Sequence, residues 1–182
     1  MNRMIIWTVV AALPLVVIVV GARGERSARY PVIEKHGAVV KFPDALQQPR
    51  NGSKILVDVT GGGAGDQLSP AIEKLARFVN IYSSAGREPA SVEIVAVLHG
   101  DATVAALNDA AYGAAMQTDV NPNRALIEEL HAAGVRFLVC GQALSHKGFD
   151  PQQTLPEVPV AVSGLTAMVN LQSRGFAYIP LK

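Results

Sequence analysis

From Lys54 onward the chain alternates short apolar runs with amphipathic stretches of helix length, and few folds accept that rhythm. The strand-like runs are Lys54 to Val59 (KILVDV), Val92 to Leu98 (VEIVAVL), Arg136 to Val139, Val158 to Val162 and Phe176 to Ile179. The first two are β-branched and mostly apolar, the composition of strands covered on both faces. Between them, Leu68 to Ala85 repeats apolar residues at helical spacing through Ile72, Leu75, Ala76, Val79 and Tyr82. Ser69 and Pro70 are its start signal and Gly86 its stop. Thr103 to Met116 reads as a second helix. Asn121-Pro122 opens a third, as N-cap and first helical position, and Gly134 closes it. Leu165 to Arg174 is the last, before Gly175. The alternation predicts one α/β domain, doubly wound and three-layered, with a mostly parallel five-stranded sheet and helices on both faces.

The residues before that domain are of a different kind. Met4 to Ala22 is apolar at sixteen of nineteen positions, broken by Thr8, Pro14 and Gly21, and includes Trp7. It reads as an export signal or an N-terminal membrane anchor. Val20-Gly21-Ala22 offers small residues for signal-peptidase cleavage after Ala22, whereas Arg23, Arg26 and Arg29 oppose translocation. The expectation is an exported, periplasmic protein, cleaved there or tethered through residues 4–22, the only part that would touch a membrane. An uncleaved anchor with a cytoplasmic domain is the rival. Residues 23–53, with Pro31, Pro43 and Pro49, read as a tether or extended arm, with a short strand at Ala38 to Phe42. The domain proper is then 54–182.

Charge and cysteine content exclude several function classes. Sixteen basic residues against fifteen acidic ones leave no surplus for a phosphate backbone, so no nucleic-acid partner is expected. One cysteine in 182 residues allows neither an internal disulfide nor a multi-cysteine zinc site. No metal and no organic cofactor is expected.

In an open parallel sheet, ligands sit at the carboxyl ends of the strands. Four predicted strands end there in a polar residue followed by glycine: Thr60-Gly61, His99-Gly100, Cys140-Gly141 and Ser163-Gly164. Glycine lets the chain turn sharply and approach a neighbour closely, so the polar residues would line one crevice. The alternative is that the glycines punctuate βα turns, that Thr60 and Ser163 cap helices, and that His99 is a hydrogen-bonded turn residue. The loop Thr60, Gly61, Gly62, Gly63 is not a Walker loop, because it has no lysine, and G-x-G-x-x-G meets Asp66 at its third glycine. Its amides could hold a small anion, or the loop is simply flexible. Asp58, inside an apolar strand, reads as a paired or edge-lying carboxylate rather than a catalytic acid. Glu128, Glu129 and His131 read as a solvated helix face.

Cys140 is the sharpest feature. It ends a strand ahead of a short helix through Gln142, Ala143 and Leu144, where unsatisfied amides favour the nucleophilic thiolate. His99, His146 and Lys147 are candidates to assist it, although His146 lies nearly two turns along that helix. A buried cysteine acting as a small hydrophobe is the competing reading.

The stretches Thr60 to Gly63, Val95 to Asp101 (VAVLHGD), Gly134 to Gly148 (GVRFLVCGQALSHKG) and Val162 to Ile179 (VSGLTAMVNLQSRGFAYI) resemble the DsrE/DsrF-like family, which includes Tus-type sulfur-relay proteins. The resemblance covers Lys54 to about Leu181. It implies a flavodoxin-like α/β subunit assembled into homo-oligomers, trimers or hexamers, with no cofactor. It also implies that Cys140, at the persulfide-accepting position, takes sulfane sulfur from a donor protein or small persulfide and passes it to a partner thiol. In that sulfurtransferase-like reading His99 shuttles a proton. Thr60, Gly61, Gly62, Gly63, Gly100, Gly141, Ser163 and Gly164 would stabilise the terminal sulfur anion. Two alternatives remain. One is a non-enzymatic oligomeric module, with Leu165, Met168 and Leu171 packing between protomers. The other is a small-anion-binding module without sulfur transfer. Relay members work in the cytoplasm, and the apolar start of this chain departs from that pattern.

Overall fold

A computed structural model describes residues 27–63 and 65–182 of the chain. The apolar segment 4–22 and the cleavage position at Ala22 lie outside the described residues.

Five strands form one parallel sheet: β1 (Ser53–Val59), β2 (Val92–Leu98), β3 (Arg136–Cys140), β4 (Val160–Ala161) and β5 (Ala177–Leu181), in the order β4-β3-β2-β1-β5. The helices are α1 (Pro70–Asn80), α2 (Asp109–Met116), α3 (Arg124–Ala132), α4 (Gly141–His146) and α5 (Gly164–Ser173). This is the expected α/β architecture.

The strand order decides which face each helix covers. Steps from β1 to β4 all run one way, so right-handed crossovers place α1 to α4 on a single face; the jump from β4 back to β5 puts α5 on the other. Side-chain alternation agrees. Ile55, Val57 and Val59 of β1, with Ile94, Ala96 and Leu98 of β2, pack against Ile72, Leu75, Ile127, Leu130 and Leu144. Leu56, Val95 and Val97 face the opposite way, onto Ala167, Met168, Leu171 and Phe176. The fold therefore has helices on both faces, with α5 alone on the second among the described residues.

Several boundaries differ from expectation, each for a visible reason. The stretch 103–116 is not one helix. Residues Gly100–Ala106 form a 3₁₀ helix, and Leu107 then pairs with Thr154 in an isolated antiparallel bridge. The Leu155 amide donates to the Ala106 carbonyl and the Asn108 amide to that of Gln153, which holds the chain extended before α2. The helix α2 begins only at Asp109, and Asn108 caps it, its side chain accepting from the Ala111 amide at 3.0 Å. Asn121 does not cap α3, which starts at Arg124 with Asn123 before it. The Asn121 amide group instead donates to the Ala105 and Leu107 carbonyls, and the Asn123 side chain accepts from Ser69. Both asparagines are buried ties between segments. Strand β4 shrinks to two residues, pairing Val139 with Val160 and Cys140 with Ala161; Pro159 just before it has no amide to donate, and its carbonyl accepts from Val139. The first helix is shorter than 68–85: α1 passes into a wider π turn at Ile81–Ala85.

Residues 29–40 pack onto α1. Ile33 is fully buried, and the Asn80 side chain accepts from the Val32 and Ile33 amides while donating to the Ile33, His36 and Gly37 carbonyls. Glu73 binds the His36 ring and the Gly37 amide. Gly37, with φ at +62°, lies so close to the α1 backbone that a Cβ there would meet the Arg77 nitrogen at 2.2 Å. In place of a strand at 38–42 there is one bridge, Arg29 with Val39.

Candidate functional site

The sheet's carboxyl edge carries a row of polar side chains on the α5 face, one from each of four neighbouring strands. Strand alternation sets this face: Asp58 follows Leu56, Cys140 follows Leu138, and His99 follows Val97. From one edge inward the row runs Tyr178 (β5), Asp58 (β1), His99 (just past β2) and Cys140 (β3).

Cys140 occupies a topological divide. From β3 the chain leaves as α4 for the crowded face, and from adjacent β4 it leaves as α5 for the other, so a crevice opens between the two exits. The cysteine is the last residue of β3 and the N-cap of α4, and its Sγ accepts from the Ala143 amide at 3.4 Å. It is 8% exposed. Gly141 allows the close approach of β4: a Cβ there would lie 2.9 Å from the Ala161 carbonyl oxygen. Gly164, first residue of α5, fits between the site's side chains. A Cβ added to it would stand 3.5 Å from the Cys140 Cβ, 3.7 Å from the His99 Cβ and 3.6 Å from Val97. These distances bring Cys140 and His99 to one place.

His99 is held from the opposite side. Its Nε2 is 2.5 Å from Asp58 Oδ1, and the Tyr178 hydroxyl donates to Asp58 Oδ2. Asp58 is buried between these two partners, while His99 keeps partial access to solvent. The hydrogen bond to Asp58, followed by burial and the carboxylate's negative charge, pushes the Tyr178 phenol above its ordinary range. Asp58 is thus the paired carboxylate that its position inside an apolar strand implies. Tyr178 was not singled out in the sequence. The signal was available: a buried carboxylate needs donors, and the alternating β5 (AYIPL) places Tyr178 on the Asp58 face.

The other expected residues divide. Ser163 caps α5, its Oγ accepting from the Thr166 amide at 3.0 Å. Thr60 caps no helix; its amide donates to Leu181 and its carbonyl accepts from Ala102. Gly100 adopts φ +58°, which glycine alone takes without strain, and turns the chain after His99. The glycines of the first loop face their own chain. A Cβ at Gly61 would meet Lys182 at 2.6 Å, at Gly62 the Asp101 carbonyl at 2.9 Å, and at Gly63 the Gln67 carbonyl at 2.5 Å. Their smallness serves packing against main chain. A cleft of about 300 Å³ between Gly62, Gly63, Asp101 and Lys147 lies at this edge. Lys147 pairs with Asp101 at 3.5 Å, and His146 is exposed on the last turn of α4. Among the described residues no group of three or more His, Cys, Asp or Glu side chains could hold a metal ion, and no helix is long and apolar enough to cross a membrane.

An open parallel α/β sheet with a cysteine at its divide defines a broad class of proteins. Residues 54–181 match the model of the DsrE/DsrF-like family, and the chain belongs to that family. Among solved structures, it is similar to a protein of unknown function, MTH1491 from Methanobacterium thermoautotrophicum. Identity is 22%, with a TM-score of 0.52, over 71% of this chain and 99% of that one, a likeness of fold. No curated protein matches. Membership supports a sulfur-relay-related role at the level of the family.

Proposed function

We propose that the protein is a sulfur carrier, holding sulfane sulfur as a persulfide on Cys140 and passing it to a partner thiol. The observation that carries this reading is the placement of the chain's single cysteine at the sheet's divide, against Gly164 and next to His99. In the loading step the Cys140 thiolate attacks the outer sulfur of a persulfide R–S–SH. The new Sγ–S bond forms as the S–S bond of the donor persulfide breaks, and R–S⁻ leaves and takes up a proton. The transferred sulfur keeps its oxidation state, and delivery to an acceptor thiol is the same exchange reversed. The Ala143 amide that already donates to Sγ steadies the thiolate, and His99 moves the proton. Export through residues 4–22 is part of the proposal and rests on the sequence alone.

The test is mass spectrometry of the reduced, folded protein after exposure to polysulfide. The wild type gains one or more sulfur atoms on the peptide carrying Cys140, and Cys140→Ser gains none. An unmodified wild type overturns the carrier reading.

A second reading, a self-associating module, is favoured by one observation. Met168 and Leu171 are used inside the protomer against the sheet, contrary to the expectation that they pack between subunits, but Val162, Leu165 and Val169 are 77%, 74% and 64% exposed. Leu165 and Val169 lie one turn apart on α5. Sedimentation of Leu165→Glu against wild type tests it: a lower mass supports an interface there, and an unchanged mass removes it.

A further inference from the structure

His99 is tied by a carboxylate that is difficult to explain as packing. Asp58 sits on β1 beyond the fully buried Leu56 and is itself 7% exposed. An aliphatic side chain would fill that site without the desolvation penalty that a buried charge carries. The carboxylate is kept, with one oxygen on His99 and the other on Tyr178, donors that are 41 and 120 residues away in the chain.

The chemistry of the three groups fixes where the imidazole proton lies. An ionised carboxylate only accepts hydrogen bonds, so Nε2 must donate. Neutral His99 is then the Nε2–H tautomer, and Nδ1 carries the lone pair. Nδ1 makes no hydrogen bond among the described residues. The Cβ of the same residue faces Gly164 together with that of Cys140.

We propose that Asp58 and Tyr178 are positioning residues for the Cys140 site. They lock His99 as its Nε2–H tautomer and leave Nδ1 to receive the Cys140 thiol proton. Tyr178 holds the second carboxylate oxygen, so Asp58 cannot rotate away from the ring. When the thiol proton moves to Nδ1, the anionic Asp58 balances the imidazolium, and the leaving R–S⁻ takes that proton back. The tautomer follows from the contact between Nε2 and an ionised Asp58; its use in sulfur transfer rests on the carrier reading.

Two measurements on the full chain test this. The first is nitrogen-15 NMR of the imidazole rings, with His99→Asn identifying the signal among four histidines. Wild-type His99 is expected as the pure Nε2–H form at a pH where it is neutral, and Asp58→Asn is expected to mix the two tautomers. An Nδ1–H form in the wild type overturns the proposal without any variant having to fold. The second is alkylation of Cys140 by iodoacetamide. Asp58→Asn and His99→Asn should each slow it by about tenfold, and the double variant no further, because both remove one base. Tyr178→Phe should slow it by about threefold, since its effect passes through Asp58. A folded Asp58→Asn that alkylates at the wild-type rate overturns the proposal. If alkylation responds as expected but polysulfide adds no sulfur, the carrier reading fails and the positioning role stands.

Discussion

Gly164→Ala separates reactivity from stability at the candidate site, and the structure gives the sign of both. The new methyl would meet the Cys140 Cβ at 3.5 Å, Val97 at 3.6 Å and the His99 Cβ at 3.7 Å, all ordinary contact distances. Gly164 is buried and has no left-handed backbone angle, so alanine enters without strain. Burying one methyl adds about 0.8 kcal/mol. Fewer unfolded conformations to lose add up to about another 0.4–1 kcal/mol. A net gain of roughly 1.2–1.8 kcal/mol raises Tm by about 3–7 °C in a domain of this size. The same methyl occupies the space between the cysteine and the histidine. Alkylation of Cys140 is therefore expected to slow by about tenfold, the equivalent of ~1.4 kcal/mol at the barrier. The assay pairs thermal unfolding with iodoacetamide kinetics on the same preparation. A lower Tm would refute the contact geometry; an unchanged alkylation rate would refute the idea that Cys140 and His99 meet across Gly164.

Three other outcomes follow from particular contacts. Tyr178 should ionise at higher pH than an ordinary tyrosine, and Asp58→Asn should bring it down, while Tyr112, raised by burial and Asp66, stays put; phenolate absorbance during a pH titration reads both. Asn80→Ala should cost about 1–3 kcal/mol by leaving buried main-chain groups around Ile33 unpaired, and hydrogen exchange at the Val32 and Ile33 amides should quicken. Exchange unchanged at those amides would mean that the side chain does not hold the arm. Asp109 is depressed below the usual carboxylate range by the Asn121 amide and then by Arg124. The stability it contributes is therefore complete above the unfolded value of about 3.9 and lost as pH falls through the lower folded value. Asp109→Asn should flatten acid unfolding in that window, and an identical acid profile would contradict the assignment.

The sheet was legible in the sequence because buried parallel strands leave nothing for local patterning to contest. KILVDV and VEIVAVL are apolar on both faces and became β1 and β2, with their ends at Val59 and Leu98 where expected. Two of the misreadings share a cause, a hydrogen bond made to a residue well away along the chain. Asn121 looks like a cap beside Pro122, but its amide reaches back to Ala105 and Leu107. Thr103 to Met116 has uniform helical composition, and only the bridge from Leu107 to Thr154 shows that it must break. The site was half legible for the same reason. Cys140 and His99 stand out because each ends a strand before glycine. Tyr178 does not, because its partner Asp58 becomes its neighbour only when β5 pairs with β1. The glycines of the first loop resemble a ligand cradle locally, and their neighbours Lys182, Asp101 and Gln67 are visible only in the folded chain.

Following one labelled sulfur atom tests the central claim most directly. The reduced protein is loaded with isotopically labelled polysulfide, desalted and mixed with a small thiol. The account predicts label first on the Cys140 peptide and then, as that peptide returns to its original mass, in the persulfide of the small thiol. Label that never enters the folded wild-type protein, or that enters Cys140→Ser equally, would contradict it.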